Sequence, residues 1–171
     1  MTSFSIRPAT RQDVAEIVDI HVLASRAAAL QAPPAGMAGA PAVSSQAAYW
    51  RDAIAYAEPQ LLLACNSAGV VGVVGFDRCR DKGTPPTVGE IWTLQVRPEH
   101  WGQGAGLALW DAAREGLADE DCTEVSAWVE IGAARALRFF ELAGFKRVMS
   151  SARTSVVLGV RVEMIRLKRR L

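Results

Sequence analysis

Residues 96–106 read VRPEHWGQGAG, and they stand between a strand-like run and a helix-like run. Apolar residues recur through 88–96 before the glycines, and LALWDAAR follows at 107–114. A strand, a glycine-rich loop and a helix present several backbone N–H groups to one phosphate, and the helix dipole adds about half a positive charge there. This stretch therefore predicts a pyrophosphate site inside an α/β domain.

The glycine spacing excludes two common nucleotide sites. Gly102, Gly104 and Gly106 do not reproduce G-x-G-x-x-G, and no G-K-S/T sequence follows them. Taken alone, the segment also fits a tight strand-to-helix turn that binds no ligand. The ligand is therefore left open by these residues.

Composition and charge predict one ordinary domain over residues 1–171. The chain is 50% hydrophobic with a net charge of +1, so we expect no partnership with nucleic acid or a membrane surface. It shows neither a signal peptide nor an apolar run of ~18 residues. Cys65, Cys79 and Cys122 lie far apart, which argues against disulfides and a metal site and predicts a cytoplasmic protein.

Hydrophobic periodicity predicts the order β-α-α-β-β-β-α-β-α-β-β, a mixed α/β domain. The predicted strands cover residues 3–7, 60–65, 70–76, 88–96, 124–130, 146–151 and 155–167. The predicted helices begin after Thr10, at Ser44 or Ser45, after Gly106 and at Ala133, with Gly144 closing the last one. Residues 31–43, rich in Ala, Pro and Gly, predict a mobile loop.

A second block strengthens the first. Residues 128–145 read WVEIGAARALRFFELAGF, which matches the form W-V-x-x-x-N-x-x-A-x-x-F-Y-E-x-x-G-F. Residues 101–106 match Q/R-x-x-G-x-G/A after a strand ending V-x-P, with Trp101 in place of the usual Arg or Gln. Two such blocks in this order resemble the GNAT family of N-acetyltransferases over nearly the whole chain.

The resemblance implies a mostly antiparallel sheet with a splayed central strand pair, flanked by about four helices. It also implies that acetyl-CoA binds in the slot between the splayed strands. It further implies a bulge in the central strand, whose Leu94 and Val96 would pair with the pantetheine arm as an added strand would. By the same resemblance, an N–H near Leu94 would polarise the thioester carbonyl. The residues expected to bind the cosubstrate are Leu94, Gln95, Val96, Trp101, Gly102, Gln103, Gly104, Ala105, Gly106, Ala133, Arg135, Phe139 and Phe140.

Glu90 occupies a position where many members of the family place a carboxylate. Such a group can remove the proton that keeps an amine from attacking. The alternative is a glutamate at a strand end that faces solvent or pairs with an arginine.

Two residues depart from the pattern of the family. Ala133 replaces an Asn, and Phe140 replaces the Tyr proposed to protonate the leaving thiolate. Water can protonate a thiolate instead. The tyrosines of the chain are Tyr49 and Tyr56, on the second predicted helix.

These observations predict direct acetyl transfer from acetyl-CoA to a primary amine, because neither block contains a cysteine that could carry the acyl group. The alternative is a catalytically decayed acyl-CoA-binding sensor or interaction module. The acceptor is expected to be a small-molecule or peptide amine. The resemblance is compatible with a homodimer through the last strands.

Four further side chains have two interpretations each. His21 lies on an apolar helix stripe as a core-edge residue or as a substrate contact. Trp50, Trp92 and Trp128 line an acceptor slot or pack in the core.

Overall fold

The computed structural model describes residues 3–31, 43–157 and 160–171. The loop predicted at 31–43 therefore lies outside the described residues, apart from its two ends. The strands are β1 (Ser5–Pro8), β2 (Gln60–Asn66), β3 (Gly69–Arg78), β4 (Val88–Val96), β5 (Glu124–Glu130), β6 (Lys146–Val157) and β7 (Val160–Arg170). The α-helices are α1 (Val14–Gln31), α2 (Val43–Tyr56), α3 (Ala105–Asp119) and α4 (Ala134–Leu142). No helix in the described ranges is long and apolar enough to cross a membrane.

The seven strands form one sheet in the order β1-β2-β3-β4-β5-β7-β6. Neighbours are antiparallel except β4 and β5, which α3 connects as a parallel pair. A parallel pair needs a crossover of this kind, whereas hairpins suffice elsewhere. The expected mixed, mostly antiparallel architecture is confirmed.

The central strands β4 and β5 are paired over only part of their length and then separate. Their pairing runs from Val88 opposite Glu124 to Ile91 opposite Ala127, although both strands continue beyond it. At the same level the register between β4 and β3 shifts, so that Trp92 is an extra residue on β4. Such a bulge bends a strand away from its neighbour. The splayed pair expected from the resemblance is present.

Two apolar cores cover the two faces of the sheet. On one face, α3 contributes Leu109, Trp110 and Leu117 to a cluster that includes Val125 and Ala127 of β5. On the other face, α1 and α2 pack on β2 and β3. Arg97, just after β4, ties α1 to the sheet, since it donates to Asp19 at 2.7 Å and to the carbonyl of Val70 at 3.0 Å.

The ends of the chain show one error of prediction and one success. The break expected between 151 and 155 is wrong, because β6 runs through it with only a shift in register between Val148 and Arg153. Small polar residues there imitate a turn, but the Ser151 hydroxyl accepts from the N–H of Arg166 at 2.9 Å and keeps the strands joined. The helix start predicted at Thr10 is confirmed, since its N–H donates to Asp13 at 2.7 Å.

Candidate active site

The glycine loop leaves a row of backbone donors free. Gly102 and Gly104 have φ of +74° and +98°, and a Cβ on either would meet no atom within 4 Å. The first main-chain bond of α3 runs from the N–H of Ala108 to the carbonyl of Gly104, at 3.0 Å. Within the described chain, no acceptor is recorded for the N–H groups of residues 102–107. An open cradle of unpaired N–H groups at a helix N-terminus fits a pyrophosphate.

Trp101 and Arg135 connect this loop to its surroundings. The indole N–H of Trp101 donates to the carbonyl of Val96 at 2.8 Å, and the guanidinium of Arg135 lies 4.2 Å from the indole centroid. Arg135 is thereby held beside the cradle, on the first turn of α4. The Gln103 side chain turns back to the carbonyl of Glu99 at 2.9 Å, so this residue offers the loop its backbone alone.

The edge of β4 that faces the splay is partly unpaired. The N–H of Arg97 donates to Val71 of β3 at 2.8 Å. Because backbone direction alternates along a strand, Gln95 also faces β3, whereas Leu94 and Val96 face the slot. The carbonyl of Val96 already accepts from Trp101. Both polar groups of Leu94 and the N–H of Val96 remain for a ligand.

Helix α4 closes the slot with apolar side chains. A Cβ on Gly106 would lie 3.3 Å from Phe139, which shows how closely α3 approaches α4 there. Phe140 is 7% exposed and packs edge-on against Phe145 at 5.0 Å, in the core. Ala133 is the N-cap of α4 and has no side chain that could cap it.

Glu90 lies on the paired half of β4, directly before the splay. It is opposite Ser126 on β5 and Asp77 on β3. Burial, followed by the nearby charge of Asp81, raises the pKa of Glu90 to about 7. No hydrogen bond or ion pair of its carboxylate is recorded with any described residue. Glu90 is thus partly exposed and is not paired with an arginine of the described chain.

Two further groups, Cys79 and Asp81, lie beside Glu90 and were not predicted to belong to the site. Atoms of Glu90, Asp81 and Cys79 lie within 4.8 Å of one another. Asp81 accepts from the indole N–H of Trp128 at 2.9 Å and also from Arg166. Asp81 lies in a loop with no motif, so no local signal pointed to it.

The structure places one of the three tryptophans in the core and two outside it. Trp50 is 7% exposed and belongs to the core, where the ring of His21 lies 4.7 Å from it. Trp92 is 39% exposed, with the guanidinium of Arg80 at 5.5 Å. Trp128 lies beneath two arginines, outside both core clusters.

His21 has the satisfied hydrogen bonds of a core-edge residue. Its Nδ1 lies 2.9 Å from the carbonyl of Ile17, and its Nε2 lies 3.0 Å from the hydroxyl of Thr93. A carbonyl can only accept, so Nδ1 carries the proton and Nε2 accepts from Thr93. Burial lowers the pKa of His21, which favours this neutral form.

Comparisons with known proteins agree with this geometry. Residues 30–145 match the model of the acetyltransferase (GNAT) family. Mycothiol acetyltransferase from Kocuria rhizophila is 34% identical over 89 residues, which are 50% of this chain and 29% of that protein. The chain thus matches less than a third of the length of that curated relative.

Solved structures establish the fold independently of sequence identity. An N-acetyltransferase from Staphylococcus aureus Mu50 superposes with a TM-score of 0.75 over 99% of both chains, at 13% identity. YncA from Salmonella typhimurium, solved with its cofactor acetyl-CoA, gives 0.72 over 98% of this chain and 94% of that one, at 20% identity. Acetyl-CoA, expected from the resemblance, is the acyl donor of the family. A match over most of the chain, on a sheet splayed at the expected strands, shows that this protein belongs to the GNAT family of acetyltransferases.

Proposed function

We propose that this protein transfers an acetyl group from acetyl-CoA directly to a primary amine, with Glu90 as the general base. One observation carries the proposal above the others. A half-buried carboxylate with no recorded partner lies on β4 directly before the point where its edge opens toward the glycine loop. A base and a donor-lined slot on one strand are what acyl transfer to an amine requires.

The chain's backbone supplies the binding of the donor. The N–H groups of residues 102–106 hold the pyrophosphate, and Arg135 adds a positive charge beside them. The free groups of Leu94 and Val96 align the pantetheine arm as β-augmentation aligns a peptide. When bound, acetyl-CoA supplies a thioester carbonyl, toward which the N–H of Leu94 donates.

The side chain of Glu90 prepares the acceptor. An alkyl ammonium cannot attack while protonated, and a carboxylate with a pKa near 7 accepts its proton more readily than an ordinary glutamate does. The nitrogen then forms its bond to the acetyl carbon as the C–S bond breaks. Phe140 has no proton to give, so we assign protonation of the departing thiolate to water.

The remaining proposals concern the acceptor, the domain, the location of the protein and its oligomeric state. The acceptor is a small-molecule or peptide amine, residues 1–171 act as one acyl-CoA-binding domain, and the protein works in the cytoplasm. A homodimer would use β6, which is one of the two edge strands of the described sheet. Phe140 and Ala133 favour the second candidate, a binding module that has lost catalysis.

Glu90→Gln tests the role of the base. We expect turnover to fall by about 10²-fold or more, because proton transfer by a positioned base contributes about 10²–10⁴-fold. The Kd for acetyl-CoA should stay unchanged, since the glycine loop is intact. The measurement is free thiol release over a panel of amines, with calorimetry for acetyl-CoA binding.

Glu115→Gln, on the exposed face of α3, is the matched control. Unchanged turnover in Glu90→Gln would remove Glu90 from the mechanism. Binding of acetyl-CoA by the wild-type protein without thiol release from any amine would favour the sensor.

A further inference from the structure

A cationic patch lies on the same face of the sheet as Glu90. Val125, Ala127 and Val129 of β5 enter the core beneath α3, so Trp128 and Ser126 point to the opposite face. Glu90 is opposite Ser126, and Arg166 of β7 is opposite Trp128. Trp128, Arg153 and Arg166 form what we call the Trp128 patch.

Arg153 is held in place while its polar groups stay available. Its guanidinium carbon lies 3.7 Å from the centroid of the Trp128 ring. No ion pair of Arg153 is recorded with any described carboxylate. Stacking fixes the plane of a guanidinium and leaves the N–H groups at its rim free to bind an anion.

Arg166 is the second, more enclosed cation of the patch. Its side chain is 17% exposed, its guanidinium carbon lies 4.8 Å from the Trp128 ring, and it donates to Asp81. Its Nε is buried and has no partner among the described residues. A ligand does not reach an atom that solvent does not reach, so Arg166 contributes its positive charge to the patch rather than a hydrogen bond from Nε.

The charges beside Glu90 do not cancel. Asp81 engages Arg166 and the indole of Trp128, so Arg153 keeps its full positive charge. Carboxylate atoms of Glu90 and Asp81 lie within 4.8 Å of each other. A negative position, suited to an ammonium, therefore adjoins a positive one, suited to an anion.

We infer that the acceptor carries a carboxylate close to its amine, that Arg153 and Arg166 bind this carboxylate, and that free amino acids or short amino carboxylates are the substrate class. The inference rests on the proposed function and narrows it. The planar fork of an arginine binds a carboxylate through two parallel hydrogen bonds, which also orients the amine toward Glu90.

Matched acceptor pairs provide the test. Each L-amino acid is compared with its own amide, which keeps the side chain and the amine but removes the carboxylate charge. Thiol release from acetyl-CoA is measured for the wild-type protein, Arg153→Gln, Arg153→Lys and Arg166→Gln. Arg170→Gln, on the same strand as Arg166 and exposed, serves as the control.

For the wild-type protein we expect kcat/KM to favour the acid over the amide by at least tenfold. Arg153→Gln should raise KM for the acid at least tenfold, leave KM for acetyl-CoA unchanged and change the amide less than threefold. Arg153→Lys should recover only part of the preference, because it keeps the charge without the fork. Arg153 is exposed, so its two variants should fold and remain informative even if Arg166→Gln fails to fold.

Two results would overturn the inference while leaving acetyl transfer intact: equal use of acid and amide, or a preference that survives both arginine substitutions. Thiol release from no acceptor would contradict the proposed function instead. In that case, calorimetry of amino acids titrated into the CoA-loaded protein decides whether the carboxylate site exists. Binding that Arg153→Gln abolishes supports the carboxylate site, and no binding of any amino acid refutes it.

Discussion

At the scale of a single residue, the environment of Glu90 disfavours its ionised form. Burial and the charge of Asp81 hold its pKa near 7, well above the ordinary value of 4.5. Arg166 and Arg153 oppose that shift, but Arg166 is already engaged by Asp81. A pKa near 7 is close to the value at which the proposed general base would be most effective.

The raised pKa predicts a pH-dependent stability difference for Glu90→Gln. The native state holds the Glu90 proton more tightly than the unfolded chain, so ionisation destabilises the native state as pH rises from about 4.5 to about 7. The neutral amide avoids that loss. We therefore expect the Tm of the variant, relative to wild type, to increase across this window and to level off above it.

Thermal unfolding monitored between pH 4 and pH 8 measures this difference. Glu115→Gln, on an exposed helix face, should show no such trend. A constant difference between Glu90→Gln and wild type across the window would contradict the shifted pKa.

At the scale of the element, the starts of α3 and α4 both lack a side-chain cap. The loop before α3 contains two glycines with positive φ, and its N–H groups stay open for a ligand. The N-cap residue of α4 is Ala133, whose methyl side chain supplies no capping group. Each end therefore gives its own prediction.

Gly104→Ala tests the cradle. A Cβ at φ +98° is strained and enters the open space in front of the N–H groups, so we expect a loss of about 1–2 kcal/mol in stability. The Kd for acetyl-CoA should rise at least about tenfold, because charge-assisted hydrogen bonds of about 1.5–3 kcal/mol are displaced. Calorimetry and chemical denaturation measure the two effects.

Gly83→Ala is the matched control, since Gly83 also has a positive φ, of +81°, and open space around it. It should lose similar stability and keep its affinity for acetyl-CoA. Equal affinity in Gly104→Ala and Gly83→Ala would show that the loop does not bind the pyrophosphate.

Ala133→Asn should stabilise α4. Asn is among the best N-cap residues and Ala among the poorest, with a difference of about 1 kcal/mol. Chemical denaturation should show a higher midpoint with an unchanged slope. Ala134→Asn, one residue into the helix, should give no gain, and an equal gain there would mean that capping is not the cause.

At the scale of the whole molecule, one sheet carries both halves of the site. The glycine loop and Leu94 belong to the face beneath α3 or to the open edge of β4. Glu90 and the Trp128 patch belong to the opposite face. Arg97 links the end of β4 to α1, so the two faces are tied together next to the slot.

A ligand bound across such a slot should stabilise the whole chain. At 100 times its Kd, a ligand specific for the native state adds about 2.7 kcal/mol, which for a domain of this size raises Tm by roughly 5–10 °C. Acetyl-CoA should produce this shift in differential scanning fluorimetry, and Gly104→Ala should reduce it. No shift at millimolar acetyl-CoA would contradict donor binding altogether.

Local patterns in the sequence were sufficient to predict the strands and helix ends around the proposed donor side of the site. Alternation predicted Val88–Val96 and Glu124–Glu130 with the bounds observed, and Gly144 ends α4 with the left-handed φ of +89° expected of it. These features depend on neighbouring residues, through backbone sterics and side-chain direction. The cofactor-binding roles built on them remain predictions.

The surroundings of Glu90 depended on long-range pairing instead. Arg166 and Asp81 are 85 positions apart, and they meet only because β7 is inserted between β5 and β6. The residues between Val148 and Arg153 imitated a turn, and only their pairing with β7 shows one continuous strand.

By itself, then, the sequence determined the two motif blocks that resemble the GNAT family and the glycine-rich loop between a strand and a helix, because short-range spacing and backbone conformation encode these features. The splayed α/β fold was expected from that resemblance. The tertiary structure alone decided that Glu90 is half buried with no recorded partner, and that two arginines lie on Trp128 near it. Burial and charge at a point in space depend on which distant strands are brought together, and no local pattern of residues specifies that.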